Sequence, residues 1–166
     1  MLCRILTSII LLAILAPGVP FADEFPTADE VLIVKSDREL HLLNNGKIFR
    51  TFKIALGISP EGDKSVEGDF KTPEGRYLLD MRNPNSDFFL SIHISYPDAD
   101  DRREARLKGA DPGGAIMIHG QPNAPTYTET YYRTQDWTNG CIAVSNSDMI
   151  DIWLMTPDNT PVEILP

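Results

Sequence analysis

Cysteine, histidine and positive charge are all scarce in this chain, and each shortage closes off a class of function. Its 2 cysteines are Cys3 and Cys141. They and the 3 histidines, His41, His93 and His119, lack the spacing of zinc ligands, which argues against a metal site. Basic side chains number 15 against 24 acidic ones, a net charge of −9. Such a surface repels a phosphate backbone, so nucleic acid is excluded as a partner. The uncharged stretch from Ile5 to Pro20 has 16 residues, and two more follow before Asp23. A membrane-spanning helix needs ~20, so a multipass protein is excluded. There is no internal repeat, low-complexity tract or linker. What remains is one ordinary globular domain, 166 residues long and 42% hydrophobic. A chain of that size buries roughly two thirds of its unfolded surface and needs neither disulfide nor metal to fold.

The N-terminus has the pattern of a removable export signal. Arg4 gives a positive start, Ile5–Leu15 an apolar core, and Pro17-Gly18 a helix break. Cleavage after Ala22 or after Gly18 both fit. With residues 1–22 removed, the domain is 23–166, carries a net charge of −10 because only Arg4 is lost, and has no stable membrane span. The protein is then expected in the periplasm or at the cell wall. Cys3 leaves with the signal, and Cys141 stays as the sole thiol. In an oxidising compartment an unpaired thiol is inert and buried, pairs between chains, or performs chemistry.

The pattern after residue 23 is mainly β with short helices. Val31–Val34, Glu39–Leu43 and Lys47–Leu56 alternate as strands, and Asn44-Asn45-Gly46 is a hairpin turn. Gly57–Thr72 is a charged, turn-rich loop. Tyr77–Met81, Phe88–Ser95, Ala115–His119 and Val162–Leu165 read as further strands. Arg102–Lys108 reads as a short helical turn, and the acidic residues Asp98, Asp100, Asp101 and Glu104 as solvated surface. Asp148–Met155 predicts a helix capped by Ser145 or Ser147.

Two segments carry candidate chemistry, Ile116–Gly120 and Asp136–Val144. A thiol needs a base to become a nucleophile near neutral pH, and imidazole suits that task. The spacing between His119 and Cys141 fits two adjacent strands joined by a long loop. An imidazolium beside Cys141 would lower the thiol pKa. Gly140 would let a substrate approach the backbone, with neighbouring N–H groups receiving an oxyanion.

Ile118-His119-Gly120 and Thr138-Asn139-Gly140-Cys141-Ile142-Ala143 resemble the two signature stretches of the YkuD-type L,D-transpeptidase catalytic domain, found in the ErfK/YbiS/YcfS/YnhG group. The opening hairpin and Gly68–Gly75 are also similar, so the resemblance runs from about Val31 to Pro166. It implies a single-domain β-sandwich, a Cys141 nucleophile and His119 as proton donor and acceptor, with Thr138, Asn139 and Gly140 in support. It also implies acyl transfer on peptidoglycan tetrapeptide stems without a diffusible cofactor. Two positions depart: Asn139 stands where the pattern has a second His, and Ala143 where it has Asn or Arg. Asn cannot hold a proton at neutral pH, so acceptor choice is expected to loosen.

His93 lies on the polar face of its strand, where it is either a substrate contact or a hydrogen-bonded strand histidine. Arg133 could receive a substrate carboxylate, or be a solvated loop residue. Trp137, Tyr127, Tyr131 and Tyr132 either wall a peptide groove or pack their loop. L,D-carboxypeptidase, amidase and a non-catalytic wall-binding module are the competing functions.

Overall fold

The opening hairpin sets the pattern for the whole sheet. Strand β1 (Glu30–Val34) alternates buried and half-buried residues, β2 (Glu39–Asn44) is buried from Leu40 to Leu43, and β3 (Lys47–Lys53) buries Phe52. At the β2–β3 turn Asn45 and Gly46 take φ of 51° and 70°, the left-handed pair that matches the twist of antiparallel strands. Leu40 then falls opposite both Ile33 and Phe52, and Leu42 opposite Val31. A computed structural model describes residues 26–166; the export-signal reading of residues 1–22, with Cys3, lies outside the described residues.

The other strands are β4 (Gly75–Ser86), β5 (Phe89–Ile94), β6 (Met117–His119), β7 (Ile142–Ala143) and β8 (Thr160–Leu165). One sheet results, in the order β3-β2-β1-β8-β4-β5-β6-β7. The β1–β8 and β6–β7 pairs are parallel and the rest antiparallel. Register brings Phe52, Leu40, Ile33 and Ile164 into one buried row, and Ile92, Ile118 and Ile142 into another. Both rows belong to one apolar cluster, so the sheet folds back on itself as the expected sandwich. Met149, Ile152 and Met155 of helix α3 (Asn146–Met155) join that cluster. Ser145 caps this helix, accepting from the Asp148 N–H.

The two edges of the sheet meet. Ala55, just past β3, and Ala143 of β7 exchange both backbone hydrogen bonds at 2.8 Å. This closure satisfies backbone groups that an open edge would leave unpaired.

Helix α1 (Ala99–Leu107) corrects two expectations. The segment read as a short turn is the second half of a full helix. Asp98, read as solvated surface, caps it: its carboxylate accepts from the N–H groups of Asp100 and Asp101, while Asp101 accepts from the N–H of Asp98. This reciprocal pair satisfies donors that a helix start leaves free. Helix α2 (Glu129–Thr134) has too few apolar residues for periodicity to announce it.

The charged loop 57–72 is held by two buried lysines. Lys35 donates to the carbonyls of Gly62 and Thr72 and to Glu74. Lys64 donates to Val66 O and, at 2.8 Å, to Asp69. Burial by itself would raise the Asp69 pKa. The Lys64 ammonium and the N–H groups of Ser65, Val66 and Lys71 outweigh it and hold the carboxyl at about 2. Its contribution is therefore complete above about pH 4 and lost as pH falls through 2. Asp69→Ala leaves Lys64 buried without its partner and is expected to destabilise the protein by about 3 kcal/mol. Urea denaturation at pH 7 measures this; a change within about 0.5 kcal/mol, the size of an ordinary surface substitution, would show that the pair does not hold the loop.

Candidate active site

Strand pairing places the thiol and the imidazole together. Ile118 pairs with Ile142 and His119 with Ala143 in the parallel β6–β7 ladder. One step back along that register sets Cys141 beside Met117. Side chains alternate faces along a strand and paired residues share one, so Cys141, Ala143, Met117 and His119 lie on the face opposite the Ile118–Ile142 core pair. The loop between them is long, as expected, and brings two elements far apart in sequence into direct register.

Segment 136–143 is fixed from both sides. Leu56 O accepts from the N–H groups of Trp137 and Thr138, and Ile58 donates to Thr138 O. Asp136 accepts from the Leu56 N–H at 2.8 Å and from the Arg38 guanidinium. The buried Thr138 hydroxyl donates to Cys141 O at 2.7 Å and accepts from the Gly140 N–H at 3.1 Å. That N–H, one of those expected to receive an oxyanion, is therefore already engaged. Gly140 sits at φ +127°, and a Cβ there would lie 2.5 Å from Lys71 O. A Cβ on Gly57 would lie 2.1 Å from Phe70 O and 3.1 Å from the Gly140 Cα. Loop 57–72 can press against the thiol segment only because both positions lack a side chain.

The imidazole environment defines its protonation. His119 is buried, with its ring against both Phe88 at 4.6 Å and Trp137 at 5.6 Å. Its Nδ1 lies 2.7 Å from Gly120 O. A carbonyl only accepts, so Nδ1 carries the proton and Nε2 is the free base. Burial pushes the pKa down to about 4, against a smaller opposing effect of that hydrogen bond. Cys141 is partly exposed, with Sγ 3.6 Å from Ala115 O. Burial pushes the thiol up; the Met117 N–H and the Lys64 charge oppose it. The expected imidazolium–thiolate pair is thus replaced at rest by a neutral imidazole and a thiol, because desolvation penalises both charged forms.

The remaining expected residues are more distant. Asn139 is exposed and lines a cavity with Lys64, Phe70 and Ile116. His93 pairs with Met117 across β5–β6 and is bound through Nδ1 to Asp80 at 2.6 Å. It stands two strands from Cys141, about 10 Å at ordinary strand spacing, so it does not replace the second His in contact with the thiol. Arg133 is largely exposed and lies 4.0 Å from Glu129. It lines a cavity of about 280 Å³ with Lys53, Ala143 and Asp148, a cavity that does not reach Cys141 or His119. Tyr132 packs the loop, its hydroxyl accepting from the Thr126 and Tyr127 N–H groups, while Trp137 both packs that loop and walls the imidazole. Phe88, Lys64 and Asp136 were not singled out in the sequence, where nothing local marks them. Among the described residues no three His, Cys, Asp or Glu side chains gather as a metal site, and no helix is long and apolar enough to cross a membrane.

Comparison with known proteins places this arrangement in a class. The model of the YkuD L,D-transpeptidase catalytic domain matches residues 28–164, and the chain belongs to that family. A putative L,D-transpeptidase of Escherichia coli K12, YafK, is 35% identical over 91 residues, covering 54% of this chain and 32% of YafK. The helical cell shape determining protein Pgp2 of Campylobacter jejuni superposes with a TM-score of 0.60 at 29% identity, covering 81% of this chain and 46% of Pgp2. An L,D-transpeptidase of Stackebrandtia nassauensis shares the fold, with a TM-score of 0.56 at 12% identity over 89% of this chain and 61% of that one. The chain thus spans about a third of the curated relative and just under half of Pgp2.

The protonation state has a measurable consequence. The pH profile of Cys141 alkylation by iodoacetamide is expected to lie alkaline of a free cysteine, whose pKa is about 8.5. Lys64→Met shifts it further alkaline. Mass spectrometry of the modified thiol from about 2.5 units below to about 1.5 units above that value reads both. A midpoint on the acid side would restore the ion pair at rest.

Proposed function

We propose that this protein is a cysteine-dependent L,D-transpeptidase acting on peptidoglycan tetrapeptide stems, with Cys141 as nucleophile and His119 as proton donor and acceptor. The observation that carries the reading is His119 itself: a neutral base, fixed in one tautomer by Gly120, on the same sheet face as the family-matching thiol. Nε2 takes the Sγ proton as sulfur attacks the carbonyl that follows an L residue. The tetrahedral adduct collapses to a thioester, and Nε2 returns its proton to the departing amine of the terminal D-amino acid. An incoming amine or water then gives its proton to Nε2 and displaces the thiol.

Thr138 and Gly140 support this step by holding the turn that presents Cys141. Arg133 and His93 are assigned no contact with the reacting atoms. Residues 1–22 serve as the export signal and 23–166 as the catalytic domain, working in the periplasm or cell wall. Pgp2 is described as determining helical cell shape, and a part in wall organisation and cell shape for this chain rests on that likeness. Hydrolysis of the thioester would make the protein an L,D-carboxypeptidase; the exposed Asn139 at the mouth of the site favours that as the second reading.

Incubating the protein with disaccharide-tetrapeptide and resolving products by mass separates these outcomes. Thioester formation is expected in wild type and absent in Cys141→Ala. His119→Ala is expected to slow acylation by at least about 100-fold, with far less effect on alkylation at high pH. Dimers mean cross-linking, exchanged termini mean transfer to amino acids, and tripeptide means hydrolysis. No thioester with a folded, alkylatable thiol would move the assignment to an amidase or a binding module. For acceptor choice, Asn139→His is expected to raise dimer relative to tripeptide; an unchanged ratio with dimers already dominant in wild type would dismiss a loosened acceptor site.

A further inference from the structure

Among the described residues, the arginines in ion pairs with carboxylates are Arg38, Arg50, Arg76, Arg82, Arg103 and Arg133. The two that stand apart are Arg102 and Arg106. Arg102 reaches only the Asp98 carbonyl, at 3.4 Å, and Arg106 makes no side-chain hydrogen bond among the described residues. Both line one open cavity of about 460 Å³ beside Pro97, Pro112 and Gly113. They are four residues apart on α1, hence on one face, where like charges repel and weaken the helix. Arg103 between them turns to Asp100 at 2.5 Å. Arg106, in the last turn, suits the helix dipole, but in a chain with 24 acidic side chains that leaves unexplained why Arg102, one turn earlier on the same face, has no carboxylate partner. The one carboxylate on the cavity, Asp111, accepts from the Gly113 N–H at 2.8 Å.

The cavity borders the segment leading to Ala115, whose carbonyl lies against the thiol. Gly113 also borders the smaller cavity, about 260 Å³, that is lined by Ile116 and Asn139. Asn139 is two residues from Cys141, and Ala115, two residues from Gly113, places its carbonyl 3.6 Å from Sγ. The two cavities share Gly113, so the arginine pair and the thiol border one short stretch of chain, 113–115.

We propose that Arg102 and Arg106 form an anion subsite for a free carboxylate of the acidic peptide whose carbonyl is presented to Cys141. The proposal rests on the functional reading above and adds the charge of the substrate to it. Two guanidinium forks one helical turn apart suit bidentate binding of a carboxylate.

Steady-state kinetics on the full chain tests this with a free-acid tetrapeptide stem and the same stem with its side carboxylates amidated. Arg102→Gln with Arg106→Gln is expected to raise KM for the acidic stem about tenfold or more, the loss of a charged hydrogen bond, with kcat within about twofold. The Lys pair restores part of the affinity. The amidated stem should already show the high KM in wild type and no further rise in the Gln variant. An equal rise on both stems, or none on the acidic one, overturns the subsite; inhibition by inorganic phosphate alone, without a difference between the stems, would also overturn carboxylate recognition. If neither stem is turned over while Cys141 still alkylates, the functional reading fails separately. Calorimetric titration of the wild-type chain with the acidic stem then decides the subsite: binding that the Gln variant weakens sustains it, and no binding overturns it.

Discussion

The reciprocal hydrogen bonds between Ala55 and Ala143 hold the rest of the site in place. They join the two ends of an eight-stranded sheet, so the last residues of the β3 extension become the neighbours of the segment carrying Cys141. β7 is only two residues long and would be a poor strand alone. Flanked by β6 on one side and by Ala55 on the other, its backbone groups find partners on both sides. Small side chains at both closure positions let the edges meet beneath loop 57–72, and the paired glycines at 57 and 140 let that loop come closer still.

The electrostatics follow from this packing. An imidazole shielded by Phe88 and Trp137 and a partly buried thiol are both cheaper to keep neutral than charged. A neutral thiol resists adventitious oxidation better than a thiolate does. The buried lysines serve a different purpose: Lys35 and Lys64 use carbonyls and carboxylates to give a polar loop a fixed shape where apolar residues are few.

Much of this protein was legible in the sequence because its cues are local or periodic. Alternation gave the opening hairpin, and Asn45-Gly46 gave its turn, since few residues accept two successive left-handed conformations. The His-Gly and Gly-Cys stretches drew attention through residue chemistry and family likeness, and adjacent strands were the right expectation for them. The Asp98 capping box was present in the sequence too, but its carboxylates looked like ordinary solvated charge until a helix gave them donors.

Tertiary structure decided everything that depends on which distant atoms meet. The sequence by itself determined a β-rich domain and the two segments that carry His119 and Cys141, because periodicity and side-chain chemistry are properties of short segments; the sandwich followed from the family likeness. The charge state of that pair was decided by burial, which reversed the expected ion pair. Whether His93 could reach the thiol was decided by register, which sets it two strands away and gives it to Asp80. The partners of Asp136 and Lys64, and the isolation of Arg102 and Arg106 among paired arginines, were decided by contacts across long sequence separations. Desolvation and long-range pairing have no signature in a linear pattern, since both are set by neighbours that only the closed sheet brings together.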